Sequence, residues 1–173
     1  MPKLISVIVP VYNEEGNIPL IQEALTTQFS KLRDELDYEI IFVNDGSEDA
    51  SGQKIEELAE TDGKIKFLEF SRNFGKEIAM SAGLHHALGD AAIIIDADLQ
   101  HPPELISEFI LRWSAGAEMV VGVRKNNKSE SIIKRAGSKI FYKIMGLIGD
   151  THIVSNATDF RLIDRQLIDE LNK

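Results

Sequence analysis

The chain has 173 residues, 43% of them hydrophobic and 27% charged, with no cysteine and a formal net charge of −9. That length suits one domain with a proper core. The missing cysteine excludes a disulfide framework, a thiolate metal site and a cysteine nucleophile, and the acidic balance argues against general nucleic-acid binding. No run approaches the ~20 apolar residues needed to span a bilayer, and no signal-peptide pattern opens the sequence. In chain order, residues 4–10 read as a strand and 17–33 as a helix. A strand at 38–44 precedes a helix at 48–61, for which Ser47 and Asp49 are start signals. Residues 65–70 form the third strand, 75–88 a helix, and 91–96 the fourth strand. A helix at 103–114, opened by Pro103 and Glu104, leads to a strand at 118–123. These strands are continuous apolar runs rather than alternating ones, as expected of strands covered on both faces. Their alternation with helices predicts right-handed βαβ units, an α/β fold and a mainly parallel sheet.

Past residue 124 the pattern changes to a basic loop, an amphipathic helix near 131–148, a polar turn, a short strand near 158–163 and a final helix. Residues 124–143 carry Arg124, Lys125, Lys128, Lys134, Arg135, Lys139 and Lys143 against Glu130 alone, a net +6 where the remainder carries −15. Such a stretch is either a solvated helix face or a receiver of anions. Ile132, Ile133, Ala136, Ile140, Phe141, Ile144, Met145 and Ile148 make an apolar stripe within it. The stripe suits a core, or an interfacial docking surface.

In open α/β sheets, ligands bind beyond the carboxyl ends of the strands. The loops there are polar: Val11 to Glu15, Asn44 to Ser47, Ser71 to Lys76, and Asp96-Ala97-Asp98. Neither Gly-x-Gly-x-x-Gly nor Gly-x-x-x-x-Gly-Lys-Ser/Thr occurs, which excludes the usual dinucleotide fingerprint and the P-loop. On an extended backbone Asp96 and Asp98 point to one side. Two carboxylates so placed suit Mg²⁺ or Mn²⁺ bridging to a diphosphate. Taken alone, the same pair also reads as turn residues, or as a start for the next helix. His101 follows the motif directly, while His85, His86 and His152 read as structural or exposed.

Seven segments carry a resemblance. They are Val-Ile-Val-Pro-Val-Tyr-Asn-Glu-Glu at 7–15, Phe-Val-Asn-Asp-Gly-Ser at 42–47, Phe-Ser-Arg-Asn-Phe-Gly-Lys-Glu at 70–77 and Asp-Ala-Asp-Leu-Gln-His-Pro-Pro-Glu at 96–104. Val-Gly-Val-Arg at 121–124, Lys-Arg-Ala-Gly-Ser at 134–138 and Asp-Phe-Arg at 159–161 complete the set. Together they resemble the family 2 glycosyltransferases of the GT-A fold. Within these the likeness is to the polyprenyl-phosphate hexose synthases, the dolichol-phosphate mannose synthases and bactoprenol glucosyltransferases. The first two segments indicate the broad family, and the later ones are more specific.

The resemblance implies one GT-A catalytic domain over 1–173, with a nucleotide-sugar part at 1–123 and an acceptor-side part at 124–173. It assigns Pro10, Tyr12 and Glu14 to the base and ribose, Asp45 to the base edge, and Arg72, Lys76, Asp96 and Ala97 to the donor sugar and phosphates. For Asp45, an Asx turn at Asp45-Gly46 is the other reading. Asp96 and Asp98, with Gln100, are the expected ligands of Mg²⁺ or Mn²⁺, which neutralises charge growing on the leaving nucleoside diphosphate. Arg124, Lys134, Arg135 and Ser138 are expected to hold the acceptor phosphate, Arg by its planar fork. Asp98, Arg124 and Asp159 form the implied catalytic set. Asp159 stands where inverting relatives keep a carboxylate, either as a weak base, or to orient Arg161 or the sugar hydroxyls, or as half of an Asp–Arg pair locking the last strand.

The implied reaction moves a hexose from UDP-glucose, or second from GDP-mannose, to a polyprenyl phosphate at the cytoplasmic face of a membrane. Members of this subfamily continue past the last helix into membrane-associated segments, whereas this sequence stops at Lys173. It is therefore expected to be a catalytic domain or a short member that docks peripherally. Three rivals stand beside this reading: transfer to a saccharide hydroxyl, which needs Asp159 as a true base; an Asp-x-Asp phosphohydrolase; and a non-catalytic nucleotide-binding module. In the usual phosphohydrolase arrangement the motif ends the first strand rather than the fourth.

Overall fold

The computed structural model describes residues 2–32, 36–123 and 157–173. The chain divides into two compact units, one of Met1–Val120 with Asp159–Lys173 and the other of Val121–Thr158. In the second unit the Thr158 hydroxyl donates to the Gly122 carbonyl at 2.9 Å. Arg124, Lys134, Arg135, Ser138, His152 and the helix expected near 131–148 lie outside the described residues.

The described strands are β1 (Lys3–Val11), β2 (Leu36–Asn44), β3 (Ile65–Glu69), β4 (Ala91–Ile94), β5 (Met119–Val123) and β6 (Ala157–Asp164). The described helices are α1 (Ile18–Ser30), α2 (Ser51–Thr61), α3 (Lys76–His86), α4 (Ile106–Ser114) and α5 (Arg165–Leu171), with a 3₁₀ turn at Pro103–Leu105 before α4. Each lies where the apolar pattern predicts, with ends shifted by a few residues. At α2 the difference has a cause. The Asp49 carboxylate takes the Ser51 N–H at 2.9 Å, so the helix begins after Asp49 rather than at it.

One six-stranded sheet has the order β3-β2-β1-β4-β6-β5. β1 pairs in parallel with β2 and β4, β2 in parallel with β3, and β4 antiparallel with β6. The sheet is thus mainly parallel, as the alternation predicts. Odd-numbered residues of β1, such as Ile5, Val7 and Val9, pack with Ile21, Leu25 and Phe29 of α1, Ile55 of α2, and Phe109 and Trp113 of α4. Ile8, Ile41, Val43 and Ile94 face the other way, onto Ala79, Met80 and Leu84 of α3 and Ile168 of α5. Both faces are buried, which is why the strands read as unbroken apolar runs.

This two-sided burial puts one carboxylate in an apolar layer. Glu39 of β2 is 6% exposed. It accepts from the Ser6 hydroxyl (2.6 Å) and the Leu88 N–H (2.8 Å), and pairs with Lys66 at 2.5 Å. Burial alone would raise its pKa, but the bonds from Lys66, Ser6 and Leu88 outweigh that and hold it below the ordinary glutamate value. The network fixes the turn between α3 and β4, and so the height at which β4 enters the sheet.

The strand order runs outward from β1 in two directions, to β2 and to β4. The loops leaving the carboxyl ends of these two neighbours stand side by side where the strand order reverses, the place where open α/β sheets bind ligands. In this chain those loops carry Tyr12 to Glu14 and Asp96 to Asp98. Among the described residues no helix is long and apolar enough to cross a membrane.

Candidate active site

The loops after β1 and β4 line a cleft of about 300 Å³, at the small end of the range for ligand pockets. Pro10, Val11, Tyr12 and Glu14 line it from β1 and its loop, Asp45 from β2, Asn73, Gly75 and Lys76 from the start of α3, and Asp96, Ala97 and Asp98 from β4. Eight residues that the sequence reading assigns to the nucleotide sugar or the metal therefore meet in one place: Pro10, Tyr12, Glu14, Asp45, Lys76, Asp96, Ala97 and Asp98. Arg72 lies outside it, in an adjoining hollow that shares Tyr12, where its guanidinium sits 4.7 Å from the Phe74 ring centre.

Side-chain bonds hold the first two loops together. The Asn13 N–H donates to Ser47 Oγ, the Glu48 N–H to Asn13 Oδ1, and the Glu14 N–H to Ser51 Oγ, at 2.8–3.0 Å. Asp45 closes no Asx turn, since its oxygens point elsewhere; the neighbouring Asn44 Oδ1 accepts the Ser47 N–H, three residues on, at 3.1 Å. Gly46 follows with φ +66°, and a Cβ there would lie 2.3 Å from the Arg72 carbonyl carbon. The β2 and β3 loops touch backbone to backbone, so this position admits only glycine.

Asp45 is 3% exposed. Its two carboxylate oxygens accept the Phe74 N–H (2.7 Å) and the Gly75 N–H (2.9 Å). The end of β2 thereby pins the peptide units just before α3. Gly75 takes φ +97°, a conformation open to glycine, and Lys76 begins the helix.

Lys76 reaches two carboxylates that are distant in sequence. Its Nζ is 2.6 Å from Asp96 Oδ1 and 2.7 Å from Asp159 Oδ2. Asp159 also pairs with Arg161 Nη2 at 3.0 Å, and His101 Nε2 lies 3.7 Å from Asp96 Oδ2 with its ring stacked on Phe160. The hydrogen bond from Lys76 is the main reason that Asp159 is held below the ordinary carboxylate pKa; partial burial opposes it, and Arg161 adds to it. For Lys76, partial burial pulls the ammonium down, and the bonds to Asp159 and Asp96 more than restore it, to above the ordinary lysine value. A carboxylate held low by two cations is a poor proton acceptor.

Asp98 Oδ1 accepts the Gln100 N–H at 3.0 Å, closing a tight turn in which Leu99 adopts φ +58°. A non-glycine residue in that region costs about 1 kcal/mol, and such costs gather where a turn must hold a functional group. Among the described residues no three acidic or histidine side chains form a closed cation cage. Asp96 and Asp98 do supply hard-oxygen donors at the cleft, and Mg²⁺ is commonly held by one or two carboxylates plus phosphate oxygens. The donor set fits a divalent ion of that kind.

Local sequence reasoning misses part of this arrangement. Asn73 and Gly75 belong to a segment that carries the resemblance, yet only the fold identifies them as lining residues. The Lys76–Asp159 pair spans 83 positions, and no periodicity or spacing signals it.

The family model Glycosyl transferase family 2 matches residues 6–171. A prophage bactoprenol glucosyl transferase homolog of Escherichia coli (strain K12) is 43% identical over 167 residues, covering 96% of this chain and 54% of the relative. The bactoprenol glucosyl transferase of Shigella phage SfV is likewise 43% identical over 167 residues, with 96% and 54% covered. The chain spans about half the length of the curated relatives it matches. Its fold is similar to that of a mannosyltransferase from Pyrobaculum calidifontis in complex with GDP-Man and Mn²⁺ (TM-score 0.62, 24% identity, 99% of this chain and 47% of that one). It is also similar to glucosyl-3-phosphoglycerate synthase from Mycobacterium tuberculosis in complex with Mn²⁺, UDP and phosphoglyceric acid (TM-score 0.64, 20% identity, 95% and 57%). At these identities the structural likeness speaks for the fold alone.

Proposed function

Since the chain belongs to glycosyl transferase family 2 and has the GT-A fold, we propose that it transfers a hexose from a nucleoside-diphosphate sugar to a polyprenyl phosphate, with inversion at the anomeric carbon. UDP-glucose is the preferred donor and GDP-mannose the second. The names of relatives 43% identical to it, bactoprenol glucosyl transferases, support glucose and a lipid phosphate. The observation that carries the reading is the meeting of Tyr12, Glu14 and Asp45 with Asp96 and Asp98 in one cleft at the sheet's switch point.

In this reading Pro10, Tyr12 and Glu14 face the nucleoside, and Asp45 shapes the wall beside it while anchoring the Phe74–Gly75 backbone. Ala97 leaves room between the two carboxylates of Asp96 and Asp98, and these, with Gln100, are the residues assigned to the divalent ion. When bound, Mg²⁺ or Mn²⁺ neutralises charge on the departing diphosphate. Arg72 is assigned to the donor from the rim. Arg124, Lys134, Arg135 and Ser138, which lie outside the described residues, are assigned to the acceptor phosphate on their sequence pattern.

A phosphate monoester is mostly dianionic at neutral pH, with its second pKa at about 6. Its oxygen forms the new bond to the anomeric carbon, the bond to the diphosphate breaks, and the electron pair leaves with the nucleoside diphosphate. No proton has to move, so no strong general base is needed. The low pKa of Asp159 supports an orienting role: it holds Lys76 and Arg161 beside Asp96 rather than taking a proton. The basic segment at 124–143 and the acceptor's chemistry support docking at the cytoplasmic face of a membrane.

Incubation with radiolabelled UDP-glucose, Mn²⁺ and undecaprenyl phosphate in detergent tests the proposal. The expected product is organic-extractable, acid-labile label, formed more slowly but still formed by Asp159→Asn. Label appearing only on a saccharide hydroxyl, with Asp159→Asn fully inactive, would overturn the lipid-phosphate assignment.

A further inference from the structure

The Asp96 carboxylate, assigned above to a divalent ion, already has a cationic partner. The Lys76 ammonium stands 2.6 Å from Asp96 and 2.7 Å from Asp159, and Asp159 in turn holds Arg161 at 3.0 Å. Asp96 and Asp159 thus face two fixed cations, and of the two carboxylates assigned to the ion only Asp98 has no ion pair among the described residues. Lys76 is also the first residue of α3, where a positive charge opposes the helix dipole by about 0.3–1 kcal/mol. Helix stability therefore does not explain a lysine here; the carboxylates across the cleft do. Its backbone is held by the Asp45 bonds to Phe74 and Gly75 immediately upstream.

We propose that Lys76 is the internal counter-cation of the donor-free cleft: it competes with the divalent ion for Asp96, so that the ion binds firmly only when a diphosphate arrives with it. The inference rests on the functional reading above and goes beyond it. An ion entering between Asp96 and Asp98 brings more positive charge than Asp98 alone offsets close to the ammonium, and at such distances in a partly buried site the repulsion is several-fold stronger than in water. A diphosphate supplies the missing negative charge and a new partner for Lys76. Binding of ion and nucleotide is then reciprocal, each raising the affinity for the other by the same factor. Lys76 acts here as a positioning residue as well, tying Asp159 to Asp96 across the open cleft until the donor binds.

The test is Mn²⁺ affinity, read from the free-ion electron paramagnetic resonance signal, for wild type, Lys76→Met and Lys76→Arg, each without and with UDP-glucose. The expected result is Mn²⁺ alone binding at least tenfold more tightly to Lys76→Met than to wild type. Lys76→Arg, which keeps the charge, should stay near wild type, and the gain in Mn²⁺ affinity from UDP-glucose should shrink in Lys76→Met. A residue that merely supports the fold would not raise metal affinity when removed. Joint binding by wild type, combined with unchanged or weaker Mn²⁺ affinity in Lys76→Met, would overturn this inference and leave the functional reading standing. Absence of joint binding in wild type would remove the functional reading, and the inference with it.

Discussion

Asp45 separates a scaffold role from a ligand role, because its two oxygens are already engaged before any nucleotide binds. In Asp45→Asn the side chain keeps its shape, but one oxygen becomes an NH₂ group facing an N–H. The Phe74 and Gly75 bonds, at 2.7 and 2.9 Å, each run to a carboxylate, and such bonds contribute about 1.5–3 kcal/mol. Asparagine retains one and leaves the other donor facing a donor. Phe74 itself is 47% exposed, so water relieves part of the loss, and the lower end of the range applies. We expect Asp45→Asn to lose about 2 kcal/mol and Asp45→Ala about 3 kcal/mol of ligand-free stability. For a chain of this size, 2 kcal/mol corresponds to a fall in Tm of roughly 4–8 °C. Urea unfolding without nucleotide or metal measures the difference directly, through a lower midpoint at unchanged slope. A ligand-free stability within about 0.5 kcal/mol of wild type, the ordinary range for an inconsequential surface change, would refute the anchoring argument and make Asp45 chiefly a ligand contact.

Three further outcomes follow from the same geometry. Glu39→Gln should lose about 1–2 kcal/mol at pH 7, because glutamine keeps an acceptor for Ser6 or Leu88 but not the Lys66 pair. The folded pKa of Glu39 is depressed, so its contribution is present above the unfolded value of about 4.3 and fades as pH falls through the folded one; the two proteins' urea midpoints should therefore converge below about pH 4. Gly46→Ala forces a Cβ to 2.3 Å from the Arg72 backbone at φ +66° and should lower the thermal midpoint clearly, by at least about 2 kcal/mol in stability, whereas Gly16→Ala, with open space around it, should leave it unchanged. The Lys76–Asp159 pair contributes no more than about 1 kcal/mol, since both side chains are over a third exposed. Asp159 is depressed, so its share is present above about pH 3.9 and lost below. Lys76 is raised, so its share is present below about pH 10.4 and lost as pH climbs through the folded value; stability differences between wild type and Lys76→Met should be flat from pH 5 to 9 and shrink at both ends.

Much of the fold is legible in the sequence because the sheet is buried on both sides. The unbroken apolar runs in β1, β2 and β4 are the direct imprint of helices packed on each face, and the α/β alternation then limits the topology to a few choices. The site is legible as far as each loop is local: Tyr12, Glu14, Asp45, Asp96 and Asp98 stand at strand ends, and the rule that ligands sit beyond those ends brings them together. Pairings made across the fold are not legible. Nothing near Asn44 tells that its side chain bonds within the loop, to Ser47, while that of Asp45 reaches across to Phe74 and Gly75, since either residue can do either. Nothing near Lys76 tells that it spans the cleft to Asp96 and Asp159, because the meeting depends on β4 and β6 being neighbours in the sheet. Arg72 shows the converse: its place near Lys76 in sequence suggests the cleft, but its side chain lies in the adjoining hollow, over the Phe74 ring.

The central claim is a metal-dependent nucleotide-sugar site at the carboxyl ends of β1 and β4. Calorimetric titration of UDP-glucose, in Mn²⁺ and in EDTA, with wild type and Asp98→Ala, tests it most directly. Saturable binding in Mn²⁺ that disappears in EDTA and is weakened at least tenfold by Asp98→Ala is the predicted result. Binding that is indifferent to both EDTA and Asp98→Ala, or no binding of UDP-glucose or GDP-mannose under any of these conditions, would contradict it.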